Sequence, residues 1–132
     1  HELHATEMPG ANGITNARSL ARMYAATIGE VDGMRLLDHD TMQAARTERV
    51  QGPDQTLVIE TRFGAGYWLH NPSQPMMQDG SFGHPGAGGS LGYANPELGV
   101  GYGYVMNQMG GGLTGDPRNV ALNDALLACV ST

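Results

Sequence analysis

Gly83-His84-Pro85-Gly86-Ala87-Gly88-Gly89-Ser90-Leu91-Gly92 is the run on which the reading of this chain turns, because strand, turn and strand must all be built from it. Phe82 to His84 reads as a short strand, and the glycines that follow leave it no side chains with which to continue. After them Leu91–Ala94 and Val100–Met106 alternate as strands around Asn95-Pro96-Glu97-Leu98-Gly99, which predicts a hairpin. On the second of these strands Val100, Tyr102, Tyr104 and Met106 share one face. Gly101 and Gly103 lie on the other, where some neighbour must come close. A short loop forces the pair to be antiparallel.

Working outward, Gly110-Gly111-Gly112 reads as a loop. Asp116-Pro117 reads as the cap and first-turn proline of a last helix, with Leu122, Ala125, Leu126, Cys129 and Val130 as its buried stripe. Upstream, Phe63 to Leu69 has the texture of a strand closed by Asn71-Pro72. Leu57-Val58-Ile59 is a second, less marked one, after a turn at Gly52-Pro53-Asp54. Asp38 or Asp40 can cap a short helix ending near Arg46. Ala17, Leu20, Ala21, Tyr24, Ala25 and Ile28 fall on one helical face behind a cap at Thr15 or Asn16. Gly29 is expected to stop that helix in a left-handed conformation. Residues 1–13 read as irregular, with turn signals at Pro9-Gly10 and Asn12-Gly13. The expectation is an α+β fold, an antiparallel sheet flanked by helices, with residues 1–62 mainly helical and 63–132 holding the strands and the final helix.

Composition narrows the function. The 132 residues are 40% hydrophobic and include 20 glycines, which suits a packed domain rather than a disordered chain. Thirteen acidic against seven basic residues give a net charge of -6, so nucleic acid is not an expected partner. No apolar run reaches the ~20 residues that span a bilayer. One cysteine, Cys129, cannot make an internal disulfide and gives no argument for an oxidising compartment. All seven basic residues are arginines; the chain has no lysine.

Three catalytic readings of the glycine run compete. Gly88-Gly89-Ser90-Leu91-Gly92 fits the letters of a nucleophile elbow, but that elbow needs a helix after the serine and a histidine later in the chain. Here a hairpin follows, and no histidine lies beyond His84. A phosphate-cradling loop needs a lysine and a helix start, and neither is present.

The third reading is a resemblance. His84-Pro85-Gly86, within Phe82 to Ser90, resembles the esterase-type His-x-Gly form of the strand motif that the serine β-lactamase, penicillin-binding protein and esterase superfamily places beside its active site. Tyr93-Ala94-Asn95-Pro96-Glu97 followed by Gly103 to Asn107 is similar to the hairpin that comes next in that superfamily. Pro9 to Gly13 with Ala17 to Arg22, and Asp116-Pro117-Arg118, resemble the stretches that open two of its helices. The likeness covers nearly the whole chain and implies the C-terminal portion of a β-lactamase/transpeptidase-like domain.

The resemblance implies hydrolysis of a small ester or amide substrate through an acyl-serine intermediate, with no metal or organic cofactor. In it Ala87 gives a backbone N–H to the oxyanion, and Gly86 and Gly88 lie along the substrate. His84 stands where relatives carry a lysine, which inclines the reading to carboxylic esters over β-lactams or D-alanyl peptides. The nucleophile of the superfamily sits in Ser-x-x-Lys, which a chain without lysine cannot contain. Ser19-Leu20-Ala21-Arg22 is the nearest string and is read as a helix face. The expected partner is therefore a missing N-terminal segment carrying the nucleophile; the alternative is a non-catalytic fragment that associates with another protein. Tyr93-Ala94-Asn95 matches a further motif by letters, but at a hairpin, and is read as structure. His1, His4, His39 and His70 are expected at the solvated surface, and Trp68 with Tyr67 in the core.

Overall fold

The computed structural model describes residues 2–10 and 13–131. His1, Ala11, Asn12 and Thr132 lie outside them, and with them half of the Asn12-Gly13 turn signal. A short helix α1 (Glu2–Ala5) precedes α2 (Ala17–Ile28) and α3 (His39–Arg46). Six strands follow, β1 (Val50–Asp54), β2 (Ile59–Phe63), β3 (Trp68–Leu69), β4 (Phe82–Pro85), β5 (Leu91–Asn95) and β6 (Val100–Tyr104), before α4 (Pro117–Val130). The strands form one antiparallel sheet in the order β1-β2-β3-β4-β5-β6. The α+β expectation holds.

α2 lies across the face of β5 and β6 that carries only Gly92, Ala94, Gly101 and Gly103. A Cβ on Gly101 would stand 2.5 Å from the Ala25 N, and one on Gly103 would stand 2.5 Å from the Ala17 carbonyl oxygen. A Cβ on Gly92, which pairs with Gly103, would meet the Tyr24 ring at 2.3 Å. The neighbour that the two glycines of β6 demanded is this helix. Tyr24, Met42, Leu69, Phe82 and Ala94 make the core on that side, with Leu20, Ile28 and Tyr67 against it. Asn16 starts α2 by accepting the Ser19 N–H at 2.9 Å, and Asp38 starts α3 by accepting that of Thr41 at 2.7 Å.

The opposite face carries Trp68, Met76, Met77, Leu91 and Tyr93, with Leu126 and Leu127 of α4 packed on them. Trp68 and Tyr67 are core residues; Phe63 meets the Trp68 ring edge-on at 4.7 Å and Tyr67 meets Phe82 at 5.1 Å.

Four expectations need correction. The strands begin at Val50, ahead of the strand expected at Leu57-Val58-Ile59, so residues 1–62 already hold β1 and most of β2. Pro53 is tolerated there because β1 is an edge strand. Residues 63–69 are not one strand: Phe63 ends β2, and the Gly64 N–H to Tyr67 carbonyl bond (2.9 Å) turns the chain into β3. Leu57 and Val58 belong to the β1–β2 turn, not to a strand. Gly29 is extended (φ -152), and the left-handed residues after α2 are Asp32 (φ 51) and Gly33 (φ 76).

The stripe of α4 is also rotated from the expected one. Its buried residues are Asn119 and Asn123, while Leu122 and Val130 are exposed and Cys129 is at the surface. The cause is polar. The Tyr93 and Tyr102 hydroxyls rise from the sheet and donate to the Asn123 and Asn119 side-chain oxygens, each at 2.9 Å. A buried hydroxyl left without a partner costs about 1–3 kcal/mol, enough to outweigh the partial exposure of one leucine.

Candidate functional site

β4 and β5 are joined by the turn Gly86-Ala87-Gly88-Gly89. The Gly86 N–H donates to the Ser90 carbonyl at 2.8 Å, and the Gly89 N–H closes the turn on the Gly86 carbonyl at 3.1 Å. The Gly88 N–H donates to the Gly112 carbonyl at 3.0 Å. Among the described residues nothing accepts from the Ala87 N–H, and Ala87 is exposed. A trans peptide holds its C=O and N–H in one plane, pointing in opposite directions. Since the Gly86 carbonyl points into the turn toward Gly89, the Ala87 N–H of the same plane points out of it.

His84 stands two residues before Gly86 on β4, paired with Gly92 and exposed. Its Nδ1 lies 2.7 Å from the Pro85 carbonyl oxygen. A carbonyl only accepts, so Nδ1 carries the hydrogen, and in the neutral ring Nε2 keeps its lone pair. Trp68 approaches the ring edge-on at 6.1 Å.

A groove of about 450 Å³ opens beside these groups, between the start of α2 and β4–β5. Ile14, Thr15, Leu20, Met23, Tyr24 and Val105 form much of its wall, with His84, Gly86 and Ser90 on the strand side. Among the described residues no Asp, Glu or Arg side chain lines it. Burial pushes the Tyr24 phenol up to about 12, so it remains a neutral hydroxyl at ordinary pH.

The glycines behave differently from expectation. A Cβ on Gly86 would stand 2.1 Å from the Ser90 Oγ, so it is the Ser90 hydroxyl that occupies the room beside its Cα. Gly86 still lines the groove. Gly88 is buried and is not among the residues that line the groove, and a Cβ there would meet Met109 at 2.7 Å. Its carbonyl already accepts from the Gly110 N–H (2.7 Å) and from Arg118 Nη2 (2.9 Å). The reason for glycine at 88 is its φ of 85, which a side chain resists. Ser90 leads directly into β5, with no helix after it, which removes the elbow geometry.

Tyr93 and Asn95 are fully buried; the Asn95 amide donates to the Ser81 Oγ at 3.0 Å and its Oδ1 accepts the Leu98 N–H at 3.0 Å, so this pair is structural. His39 is exposed beside Asp40, but His70 is half-buried and its Nδ1 accepts the Met76 N–H at 3.2 Å. Burial lowers its pKa, against the surface position expected of it. Among the described residues no three His, Cys, Asp or Glu side chains converge on a metal position, and no helix is long and apolar enough to cross a membrane.

Sequence reasoning missed Arg118 and Asn119, whose side chains reach back from α4 to the glycine turn. Asp116-Pro117-Arg118 signalled a helix start, and nothing in its spacing disclosed the target. The wall supplied by Ile14, Met23 and Val105 was missed as well, because exposed apolar residues carry no motif.

Residues 1–127 match the protein family described as Beta-lactamase. A stretch of 106 residues is 41% identical to the esterase/beta-lactamase LipL of Mycobacterium tuberculosis, covering 78% of this chain and 24% of that protein. The fold superposes on a family VIII carboxylesterase with a TM-score of 0.87 at 35% identity, covering 96% of this chain and 35% of the other. A penicillin-binding protein homolog from Caulobacter crescentus gives a TM-score of 0.87 at 40% identity, again over 96% and 35%. The chain thus spans about a quarter to a third of the length of these relatives.

Proposed function

Because this chain belongs to the Beta-lactamase family, we propose that it forms one wall of a serine hydrolase site that cleaves carboxylic esters through an acyl-serine intermediate. The nucleophile and its lysine come from sequence outside these 132 residues. The observation that carries the reading is the Ala87 N–H, the one donor of its turn left without an acceptor among the described residues, facing out of a turn whose neighbours His84, Gly86 and Ser90 line an apolar groove. Acyl transfer puts negative charge on a carbonyl oxygen, and a backbone N–H fixed at that position stabilises it. The second donor is the N–H of the nucleophile itself. His84 Nε2 is placed to bond substrate or the hydroxyl network around the nucleophile.

The groove favours a neutral ester over a β-lactam or a D-alanyl peptide, whose carboxylates would find no fixed cation among its lining residues. Three measurements test this. The chain alone should not turn over p-nitrophenyl acetate or butyrate; activity that survives repurification and is blocked by a serine-directed phosphonate sinks the placement of the nucleophile. In the protein with its nucleophile present, Ala87→Pro deletes the N–H and should lower kcat on the butyrate ester by about 10²–10³. An unchanged kcat there removes Ala87 from the site. A chromogenic β-lactam turned over faster than the ester would assign the lactamase reading instead.

A further inference from the structure

We propose that Asn119 and Arg118 are positioning residues, which aim the Ala87 N–H without touching substrate. The inference rests on Ala87 being the oxyanion donor. A donor is useful only where its direction is fixed, and an error of an ångström forfeits much of its effect.

The turn that carries Ala87 has little stiffness of its own. Three of its four residues are glycine, and Gly88 (φ 85) and Gly89 (φ 118) sit where the chain is held by its surroundings rather than by side-chain sterics. Its outside partner at 110–112 is a run of three glycines. The rigid contacts come from the first turn of α4. Asn119 Nδ2 donates to the Gly89 carbonyl at 2.6 Å, and Arg118 Nη2 donates to the Gly88 carbonyl at 2.9 Å. These are the two carbonyls that follow Ala87. With both held, the Gly89 N–H stays on the Gly86 carbonyl, and the plane containing the Ala87 N–H cannot rotate.

The two side chains are themselves fixed. Asn119 is 4% exposed, and its Oδ1 accepts the Tyr102 hydroxyl at 2.9 Å, so each end of its amide is engaged. Tyr102 is stacked on Tyr93 at 4.7 Å. The Arg118 guanidinium is gripped by Asp116, Nε to Oδ1 at 2.8 Å and Nη2 to Oδ2 at 2.6 Å, while Nη1 donates to the Gln108 carbonyl at 3.0 Å. Such a two-pronged pair sets a plane as well as a distance. The direction of one N–H in the turn is thereby referred to the stacked tyrosines of the sheet and the capped end of α4.

The test uses the protein with its nucleophile present and the variants Asn119→Ser and Arg118→Lys. Each should lower kcat for p-nitrophenyl butyrate about tenfold while KM stays within about threefold, the pattern of an interaction made in the transition state. The rate of labelling by a serine-directed phosphonate should fall in parallel. The double variant should lose less than the product of the two, since both act on one turn. Unchanged kcat, or a rise in KM alone, in variants that melt as the parent does overturns the proposal. Should Asn119→Ser fail to fold, Arg118→Lys decides by itself, because the Arg118 side chain is 38% exposed. Ala87→Pro separates the two levels. If it abolishes turnover while both α4 variants are silent, only the positioning role falls; if it is silent, the oxyanion reading falls with it.

Discussion

Gly101→Ala puts one methyl group into the close contact between α2 and β6. The new Cβ would stand 2.5 Å from the Ala25 N, 2.6 Å from the Ala25 Cβ and 2.7 Å from the Ala21 carbonyl oxygen. Two of these are backbone atoms of α2, which no rotamer change can move. Ordinary contact begins near 3.4 Å, so the helix must retreat by about 0.9 Å. A gap of ~0.5–1 Å forfeits a quarter to a half of the dispersion energy across an interface. Overpacking of this kind costs about 1–3 kcal/mol, and Gly→Ala restores about 0.4–1 kcal/mol by restricting the unfolded chain. With several contacts violated at once, the net loss should be about 2 kcal/mol, at the middle to upper part of that range. For 132 residues the melting entropy is roughly 0.28 kcal/mol/K, so Tm should fall by about 7 °C. Trp68, the single tryptophan and 3% exposed, reports unfolding by fluorescence in urea. Gly13→Ala is the control, since a Cβ there meets nothing within 4 Å. If the two variants are equally stable, α2 does not rest on β6 as described.

Ser90→Ala should lower turnover by less than about tenfold in the complete enzyme, since the hydroxyl fills the space beside Gly86 rather than attacking substrate; a loss of ~10⁴ or more would return the nucleophile to this serine. Val58→Gly should stabilise the fold by about 1 kcal/mol, because Val58 holds φ 58 on an 83% exposed side chain and a β-branched residue is strained there; a lower Tm would refute that turn geometry. Hydrogen bonding from Arg118 lowers the Asp116 pKa to about 2. Its folded-state pKa is depressed, so the contribution of the pair is in place above the unfolded carboxylate pKa of about 3.9 and is lost as pH falls through about 2. A ¹³C carboxylate titration should show this, and Arg118→Met should return Asp116 to the ordinary range; an Asp116 that titrates near 4 in the parent contradicts the grip on Arg118.

The parts of this molecule that were legible in the sequence are those where backbone chemistry leaves few choices. Glycines alternating with tyrosines on β6 announced both a smooth face and a decorated one, and each found its helix. Asp116-Pro117 announced a helix start for the same reason, since few residues suit those positions. Where a local signal and a tertiary demand conflicted, the sequence misled. Gly52-Pro53-Asp54 has the letters of a turn, yet an edge strand needs no hydrogen bond from Pro53. The leucines of α4 were chosen as its buried stripe because apolarity is visible in one chain segment, whereas the need of two tyrosine hydroxyls for acceptors is visible only when the sheet is in place. The site divides likewise. His84 and Ala87, the residues proposed for the oxyanion site, were singled out by a motif, but the α4 side chains that bond their turn are about 30 residues away and bond carbonyls, which every residue possesses.

β3 contributes only Trp68 and Leu69, pairing with β2 at one position and with β4 at two. β1–β2 and β5–β6 are each joined at five positions and β4–β5 at four. Pairing follows chain order throughout, so each hairpin can close on its own without first bringing distant segments together. The sheet therefore has a seam. The β1–β2 hairpin should open as one unit, its amides exchanging with solvent at a common rate, while β4, β5 and β6 stay closed between their helices. Fluctuations at the outer edge would then stop at β3 instead of travelling to the glycine turn, and slow amides should cluster on the three strands that carry it.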